Sequence, residues 1–140
     1  MQSAALPPRP SEIHLMELVV PEHTNHYGTL YGATALQLMG KAAFICGSRY
    51  ARCPIVMARA DDIEFRKPVR LGEIVDLRAE VVRRGRSSMT VTVDLTVENA
   101  SGEPDRPRIT GRFLMVAVDD QGSPIPIPGQ AGEFPEEISF

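Results

Sequence analysis

The segment TNHYGTLYGA, residues 24–33, combines polar side chains with glycines directly before a long run of helix-forming residues. The first N–H groups of a helix have no partner within the helix, so they can bind an anion or a polarised carbonyl oxygen. Asn25 and His26 place an amide and an imidazole beside that helix end. The segment therefore predicts a binding or catalytic site, and a purely structural loop before a helix is the alternative.

Three acidic residues lie close together in the run ADDIEF, residues 60–65. If this run is a strand, strict alternation places Asp61 on the same face as Ile63 and Phe65. The other two acids are then expected on the opposite, solvated face. A carboxylate among apolar neighbours is costly unless it has a role, so Asp61 is a candidate site residue.

The cations are concentrated in the middle of the chain and are almost all arginines. Thirteen of the 15 basic residues are Arg, and residues 49–86 hold ten basic and six acidic residues in a chain of net charge -3. Arg presents a planar fork that suits phosphate oxygens. The pattern indicates a phosphorylated ligand, with solvated strand faces as the alternative. The net charge argues against a general nucleic-acid binder, which usually has a basic balance.

Several common kinds of site are not expected from the sequence. No GxxxxGK or GxGxxG pattern occurs, so we expect no nucleotide-phosphate loop of those types. Cys46 and Cys53 form neither a CxxC pair nor a zinc-like spacing with His, so we expect no structural metal. We also expect no cofactor. Residues 1–10 lack the charged start and apolar run of a signal peptide, which makes a reducing cytoplasm the expected location.

One long helix and five strands are predicted to position these residues. The helix covers residues 32–50, whose side chains favour helix and are apolar on nearly all sides, as in a buried helix. Polar residues interrupt this stretch and leave it too short for a membrane span. Alternation is unbroken from Met89 to Val97, which is typical of a half-buried strand. The other strands are expected over residues 13–20, 55–65, 74–82 and 109–118.

This order of elements indicates an α+β fold in which one long central helix is wrapped by a curved antiparallel sheet. Apolar sheet surface that the helix leaves uncovered predicts self-association. A chain of 140 residues is expected to form one domain. We expect a flexible arm over residues 1–10, the domain over residues 11–122 and a Pro-rich tail over residues 123–140.

Four segments, in order, resemble hotdog-fold acyl-CoA thioesterases of the broad-specificity acyl-CoA hydrolase branch. They are TNHYGTLYGA, ADDIEFRKPVRLGEIVDLRAEV, RRGRSSMTVTV and GRFLMVAVDDQGSPIPIP, within residues 13–128. The resemblance implies hydrolysis of acyl-CoA to free acid and coenzyme A, with the coenzyme A thioester as substrate rather than cofactor. It also implies dimers that join two sheets edge to edge, active sites at the dimer interface, and often hexamers of three dimers.

By position, the resemblance implies a role for several residues of this chain. The N–H groups of Gly32 and Ala33 hold the thioester oxygen. Asn25 positions substrate or water, and Asp61 occupies an active-site strand position. Residues expected to bind the phosphates and adenine of coenzyme A are Arg84, Gly85, Arg86, Ser87 and Ser88, with Arg66 and Lys67 as further candidates.

The chain differs from the family it resembles at the position of the catalytic base. Eight residues after Gly32, relatives carry an Asp or Glu that serves as base or nucleophile, whereas this chain has Gly40. A positioned base contributes roughly 10²–10⁴-fold to a rate. Asp61 of the facing subunit is therefore the predicted base, followed by His26 and Glu22. A non-catalytic acyl-CoA-binding protein is the main alternative, and a hotdog dehydratase ranks last because no acid accompanies His26 at a matching spacing.

Overall fold

The computed structural model describes residues 9–98 and 105–129. Its elements follow the predicted order of one strand, one helix and four strands. They are β1 (Glu12–Leu18), a 3-10 turn (Pro21–His23), α1 (Gly32–Ala51), β2 (Ile55–Phe65), β3 (Ile74–Arg84), β4 (Ser88–Val97) and β5 (Ile109–Ala117). The α+β prediction of one long helix against an antiparallel sheet is confirmed.

The five strands form one antiparallel sheet in the order β1-β3-β4-β5-β2. β2 follows the helix in the chain but lies at the far edge of the sheet, where it pairs with β5 alone among the described strands. α1 packs against all five strands. The helix therefore lies across one face of the sheet, and β2 leaves one of its own edges without a partner strand in the described chain.

α1 packs closely because its buried face consists mainly of small residues. The residues buried on this face are Ala35, Met39, Ala42, Ala43, Cys46, Gly47, Tyr50 and Ala51. A Cβ at Gly47 would lie 2.8 Å from Cδ1 of Ile55, so the lack of a side chain lets the start of β2 approach the helix. Arg52 ends the helix in the left-handed conformation, at a φ of 57°, and its N–H donates to the carbonyl of Ser48.

The first part of the predicted tail lies against the domain. The N–H of Ile125 donates to the carbonyl of Ala117 over 2.9 Å, and that of Ile127 donates to the carbonyl of Arg86 over 2.8 Å. The side chain of Ile127 is buried in the core. Residues 1–8 and 130–140 lie outside the described part of the chain, so the division into arm, domain and tail stays a prediction.

Within residues 9–98 and 105–129, no helix combines the length and the apolar character that crossing a membrane requires.

Candidate functional site

Asn25 organises the loop that leads into α1. Its Oδ1 accepts hydrogen bonds from the N–H of Tyr27 at 3.0 Å and from the N–H and hydroxyl of Thr29 at 3.3 and 3.2 Å. Its own N–H donates to the carbonyl of Thr29, and Gly28 adopts the left-handed φ of 77° that the turn requires. In the described part of the chain the Nδ2 group makes no hydrogen bond that would stop it from reaching a ligand.

The loop leads into the N-terminus of α1, which is called the open helix end because no side chain among the described residues caps it. α1 begins at Gly32, and Tyr31 at the N-cap makes no side-chain capping hydrogen bond in the described chain. The N–H of Tyr31 donates to the carbonyl of His23, which anchors the loop one residue before the helix. Since helix N-termini carry unpaired N–H groups and a positive dipole end, the N–H groups of Gly32 and Ala33 are the predicted donors to a developing negative charge.

A cavity of about 250 Å³ lies next to this helix end. The ring of Phe65 is 3.7 Å from the position that a Cβ at Gly32 would take, which places the end of β2 over the start of α1. The cavity is lined by Leu30, Phe65, Arg66, Lys67, Pro68, Val69 and Ile109. The predicted ligands Arg66 and Lys67 therefore line one cavity with Phe65, whose ring covers Gly32. The apolar part of this lining was not predicted from the sequence.

Asp61 lies on the opposite face of the sheet from Phe65, so the predicted shared face is wrong. Asp61 is paired across the sheet with exposed Arg112, whereas Phe65 is paired with buried Ile109. Between them β2 contains a bulge, where Asp62 takes a φ of 52°. A bulge inserts a residue and reverses the alternation that an unbroken strand would keep.

The carboxylate of Asp61 also has a partner on that outer face. Its Oδ2 lies 3.3 Å from Nε of Arg59. Both side chains are largely exposed, and such a surface ion pair contributes little to stability. Within one chain, Asp61 therefore points away from α1 and from the open helix end.

The predicted coenzyme A-binding turn between β3 and β4 is partly structural. Arg84 is only 6% exposed, lies over the ring of Tyr50 at 5.9 Å and donates to the carbonyl of Ile127. Ser88 is fully buried, and Gly85 closes the turn by donating to its carbonyl. Arg86 is exposed and Ser87 is half-buried, so these two residues face outward from the turn.

One chain does not bring this turn to the open helix end. Arg84 contacts Tyr50, close to the C-terminal end of α1, whereas Gly32 is the first residue of the helix. Eighteen residues of helix separate Tyr50 from Gly32, which is about 27 Å at 1.5 Å per residue. Apart from Asp61, the predicted site residues therefore fall into two groups, at opposite ends of α1.

Gly40 lies on the face of α1 that looks toward β2, where the end of Met57 packs against it. A Cβ at Gly40 would lie 3.3 Å from Cε of Met57, the flexible end of a half-exposed side chain. The whole of α1, with the sequence GATALQLMGKAAFICGSRYA, contains no Asp or Glu. The missing acid is thus not replaced by another carboxylate on the same helix. Nothing in the sequence pattern had singled out Met57.

Neither cysteine has the environment of a nucleophile. Burial raises the pKa of Cys46 to about 11, and its thiol contacts the carbonyls of Ser11 and Ala79. Burial also raises the pKa of Cys53. Reactive cysteines need a lowered thiol pKa, so covalent catalysis by either residue is not supported. Among residues 9–98 and 105–129, no group of three or more His, Cys, Asp or Glu side chains could hold a metal ion.

Comparison with known proteins supports the predicted family and fold. A family profile described as "Thioesterase superfamily" matches residues 27–101. The chain is 30% identical over 122 residues to the acyl-CoA thioester hydrolase YciA of Salmonella typhimurium, covering 85% of this chain and 92% of that protein. It is 36% identical over 94 residues to mouse acyl-coenzyme A thioesterase 11, covering 67% of this chain but only 16% of that longer protein.

Solved structures agree with these matches. The acyl-CoA hydrolase of Staphylococcus aureus, in complex with butyryl coenzyme A and coenzyme A, superposes with a TM-score of 0.81 at 30% identity, over 86% of this chain and 73% of that one. A hexameric thioesterase of Yersinia pestis superposes with a TM-score of 0.78 at 30% identity, over 89% of this chain and 100% of that one. This chain therefore belongs to the hotdog-fold acyl-CoA thioesterases of the thioesterase superfamily.

Proposed function

We propose that this protein hydrolyses acyl-CoA thioesters to free acid and coenzyme A at the open N-terminus of α1. The observation that carries the proposal is the uncapped helix end at Gly32, which opens beside a cavity with two cations in its wall. Water attacks the carbonyl carbon, the C–S bond breaks, and the leaving thiolate takes up a proton. The N–H groups of Gly32 and Ala33 stabilise the oxyanion, and one such donor contributes about 10²–10³-fold.

The proposal is tested by the release of coenzyme A from short, medium and long acyl-CoAs. Turnover above the uncatalysed rate with at least one of them is expected. No turnover with any substrate, in folded and homogeneous oligomeric protein, would overturn it. The relatives are named as hydrolases, and no observation favours the non-catalytic alternative.

Two cations in the cavity wall support the binding of coenzyme A. Arg66 and Lys67 are exposed in the wall of the cavity. Arg66 also contacts Glu64 at 3.0 Å, an exposed pair that a phosphate can displace at little cost. Charge-assisted contacts from these cations hold phosphates of coenzyme A, and Leu30 and Phe65 provide apolar contact for the uncharged arm that joins the phosphates to the thioester.

We extend the proposal to a dimer formed through β2. Among the described residues no strand pairs with the outer edge of β2, so its N–H and C=O groups are available to another strand, and β2 contains no Pro or Lys to discourage such pairing. Two of its apolar side chains, Val56 and Met57, are also exposed, at 46% and 44%. A second copy that adds its own β2 in antiparallel orientation satisfies both the backbone and these side chains. Three such dimers would then assemble into a hexamer, since the similar thioesterase of Yersinia pestis is hexameric.

Antiparallel pairing of two β2 strands about their midpoint explains the two separate groups of site residues. Ile55, at the start of β2, lies against Gly47 in the C-terminal half of α1, whereas Phe65, at the end, lies against Gly32. Pairing about the midpoint sets the start of one β2 beside the end of the other. Each open helix end then faces the β3–β4 turn of the partner, so Arg86 and Ser87 complete a composite site with Arg66 and Lys67.

A heterodimer of two differently impaired chains tests this composite site. One chain carries Gly32→Pro, which removes a helix N–H, and the other carries Arg86→Ala. If the sites are shared, both defects fall in one site and the other site is intact. We expect about half of the wild-type activity per heterodimer, well above both parent homodimers, because a two-fold dimer has two equivalent sites. Activity no higher than that of the parents would place each site within a single chain.

Asp61 is tested directly by Asp61→Asn. Because this carboxylate lies on the outer face and is paired with Arg59, we expect a small change in kcat. Arg112→Ala, which alters an equally exposed outer-face residue, is the matched control for nonspecific effects. A fall in kcat of about 10²-fold or more, the effect of losing a positioned base, would restore Asp61 as the proton acceptor.

A reducing cytoplasmic location is part of the proposal. Cys46 and Cys53 are both free thiols. Secreted proteins of this size often pair their cysteines, whereas the cytosol keeps thiols reduced.

A further inference from the structure

One residue fastens the segment after β5 to the turn between β3 and β4. This segment, residues 123–129, is called the C-terminal strap. The N–H of Ile127 donates to the carbonyl of Arg86 over 2.8 Å, and the carbonyl of Ile127 accepts from Nη2 of Arg84 over 3.2 Å. The side chain of Ile127 is 4% exposed and packs in the core. Ile127 is thus bound to the turn by both of its backbone groups and to the domain by its side chain.

Arg84 is a buried cation at the base of this turn. Its guanidinium lies over the ring of Tyr50 in the last turn of α1, and it also reaches the strap at Ile127. A buried charge is costly unless it is paired or hydrogen-bonded, so a guanidinium in this place is best explained by the groups that it holds. Arg84 therefore joins three elements, namely the β3–β4 turn, the strap and the C-terminal end of α1.

The strap is held a second time by an arginine from the other end of the chain. The guanidinium of Arg9 lies 5.6 Å from the centre of the Tyr50 ring. It donates to the carbonyls of Tyr50 and Pro128. Two arginines thus share one aromatic ring, and both of them bind the strap.

These contacts fix the outward-facing part of the turn from behind. The carbonyl of Arg86 is held by Ile127, and the carbonyl of Ser87 accepts from the N–H of Ala117, at the end of β5, over 2.8 Å. The side chain of Arg86 is exposed and that of Ser87 is half-buried. Each side chain that has to be ordered on binding weakens affinity by about twofold to tenfold, so a turn that is already ordered binds a ligand more tightly than a mobile one.

We infer that Arg84 and Ile127 are positioning residues, which hold Arg86 and Ser87 in place for the phosphates and adenine of coenzyme A without touching the ligand themselves. This inference rests on the proposed function, because it takes Arg86 and Ser87 as coenzyme A ligands. It replaces the direct phosphate contact that the sequence predicted for Arg84. The buried Ile127, which no charge pattern singles out, gains a role in ligand affinity.

Arg84→Met tests the inference, because it keeps a long side chain beside Tyr50 and removes the donor to Ile127. Calorimetry measures the affinity for coenzyme A, and amide hydrogen exchange measures the order of the turn. We expect an affinity loss of about tenfold, since Arg86 and Ser87 then have to be ordered on binding. The N–H of Gly85, which donates to the carbonyl of Ser88 within the turn, should exchange faster.

Ile127→Ala gives the same test without changing any charge, and it serves also if Arg84→Met does not fold. It should weaken coenzyme A binding in the same direction. Ile125→Ala is the matched control, because it makes the same change in the same strap, but its N–H donates to Ala117 rather than to the turn. Equal losses from the two isoleucine variants would overturn the inference, since the contacts of Ile127 with the turn would then have no special role.

A double-mutant cycle separates positioning from direct contact. If Arg84 acts through Arg86, Arg84→Met should cost less than about threefold once Arg86→Ala is present, whereas independent contacts give losses that add. Full additivity would overturn the inference. An affinity loss in Arg84→Met with unchanged exchange of the turn, or faster exchange with unchanged affinity, would overturn it as well. If the wild type binds coenzyme A but hydrolyses no acyl-CoA, the proposed hydrolysis is wrong, while the expected affinity losses still support the positioning role.

Discussion

Replacing Gly40 by Asp should raise kcat for acetyl-CoA and butyryl-CoA by about 10²-fold or more, the contribution of a positioned base. α1 contains no other carboxylate, and the new side chain meets only the flexible Cε of Met57 at its Cβ. Asp is also a somewhat better helix former than Gly, so the variant should fold. Release of coenzyme A under saturating substrate is the measurement.

The geometry indicates where the introduced carboxylate would act. Gly40 is about 12 Å along the axis from Gly32, which is too far for the thioester held by its own helix. Gly40 faces β2, the edge strand through which the proposed dimer forms. A carboxylate at this position would therefore act on the thioester bound by the partner. Gly40→Asn is the matched control, because it has nearly the same shape and no base.

Two results would contradict this prediction. Equal rates for Gly40→Asp and Gly40→Asn would show that a carboxylate at this position does no chemistry. A rate below that of the wild type would show that a carboxylate at this position hinders the reaction.

Gly32→Pro should lower kcat by about 10²–10³-fold, the cost of losing one oxyanion donor. Proline is tolerated at the first position of a helix, where its missing N–H has no partner within the helix. Tyr31 already has the extended conformation that a residue before proline prefers, with φ of -67° and ψ of 134°. The helix should therefore survive while the proposed donor is lost.

Gly32→Ala is the matched control for this variant. It keeps the N–H and adds a Cβ at an ordinary 3.7 Å from the ring of Phe65, so kcat should stay near that of the wild type. Thermal unfolding of both variants shows whether the fold is intact. Equal kcat values for the two variants would remove Gly32 from the oxyanion site and leave the adjacent N–H of Ala33 as the remaining candidate.

The elements of this fold could be predicted because their signals are local. The unbroken alternation from Met89 to Val97 corresponds to the observed β4, and the helix-forming run after the glycine loop corresponds to α1. The open helix end follows from the same local pattern, since N-terminal N–H groups are unpaired in any helix. The family could be assigned because four short segments occur in the right order along the chain.

The failures come from features that local patterns do not contain. Alternation predicts the face of Asp61 correctly only if β2 is unbroken, and the bulge at Asp62 reverses it. Arg84 looked like a phosphate ligand because of its charge and its turn. In the folded chain it is buried over Tyr50 and holds the segment at Ile127, a contact between residues far apart in sequence.

The sequence by itself determined the order of the elements, the open helix end at Gly32 and the absence of an acid at Gly40, because each depends on residues that are neighbours in the chain. The tertiary structure decided which candidates share a site. The edge position of β2 places Phe65 over Gly32, beside the cavity that Arg66 and Lys67 line, and α1 keeps the β3–β4 turn at its other end. These placements depend on long-range strand pairing and on a bulge, which residue spacing along the chain does not encode.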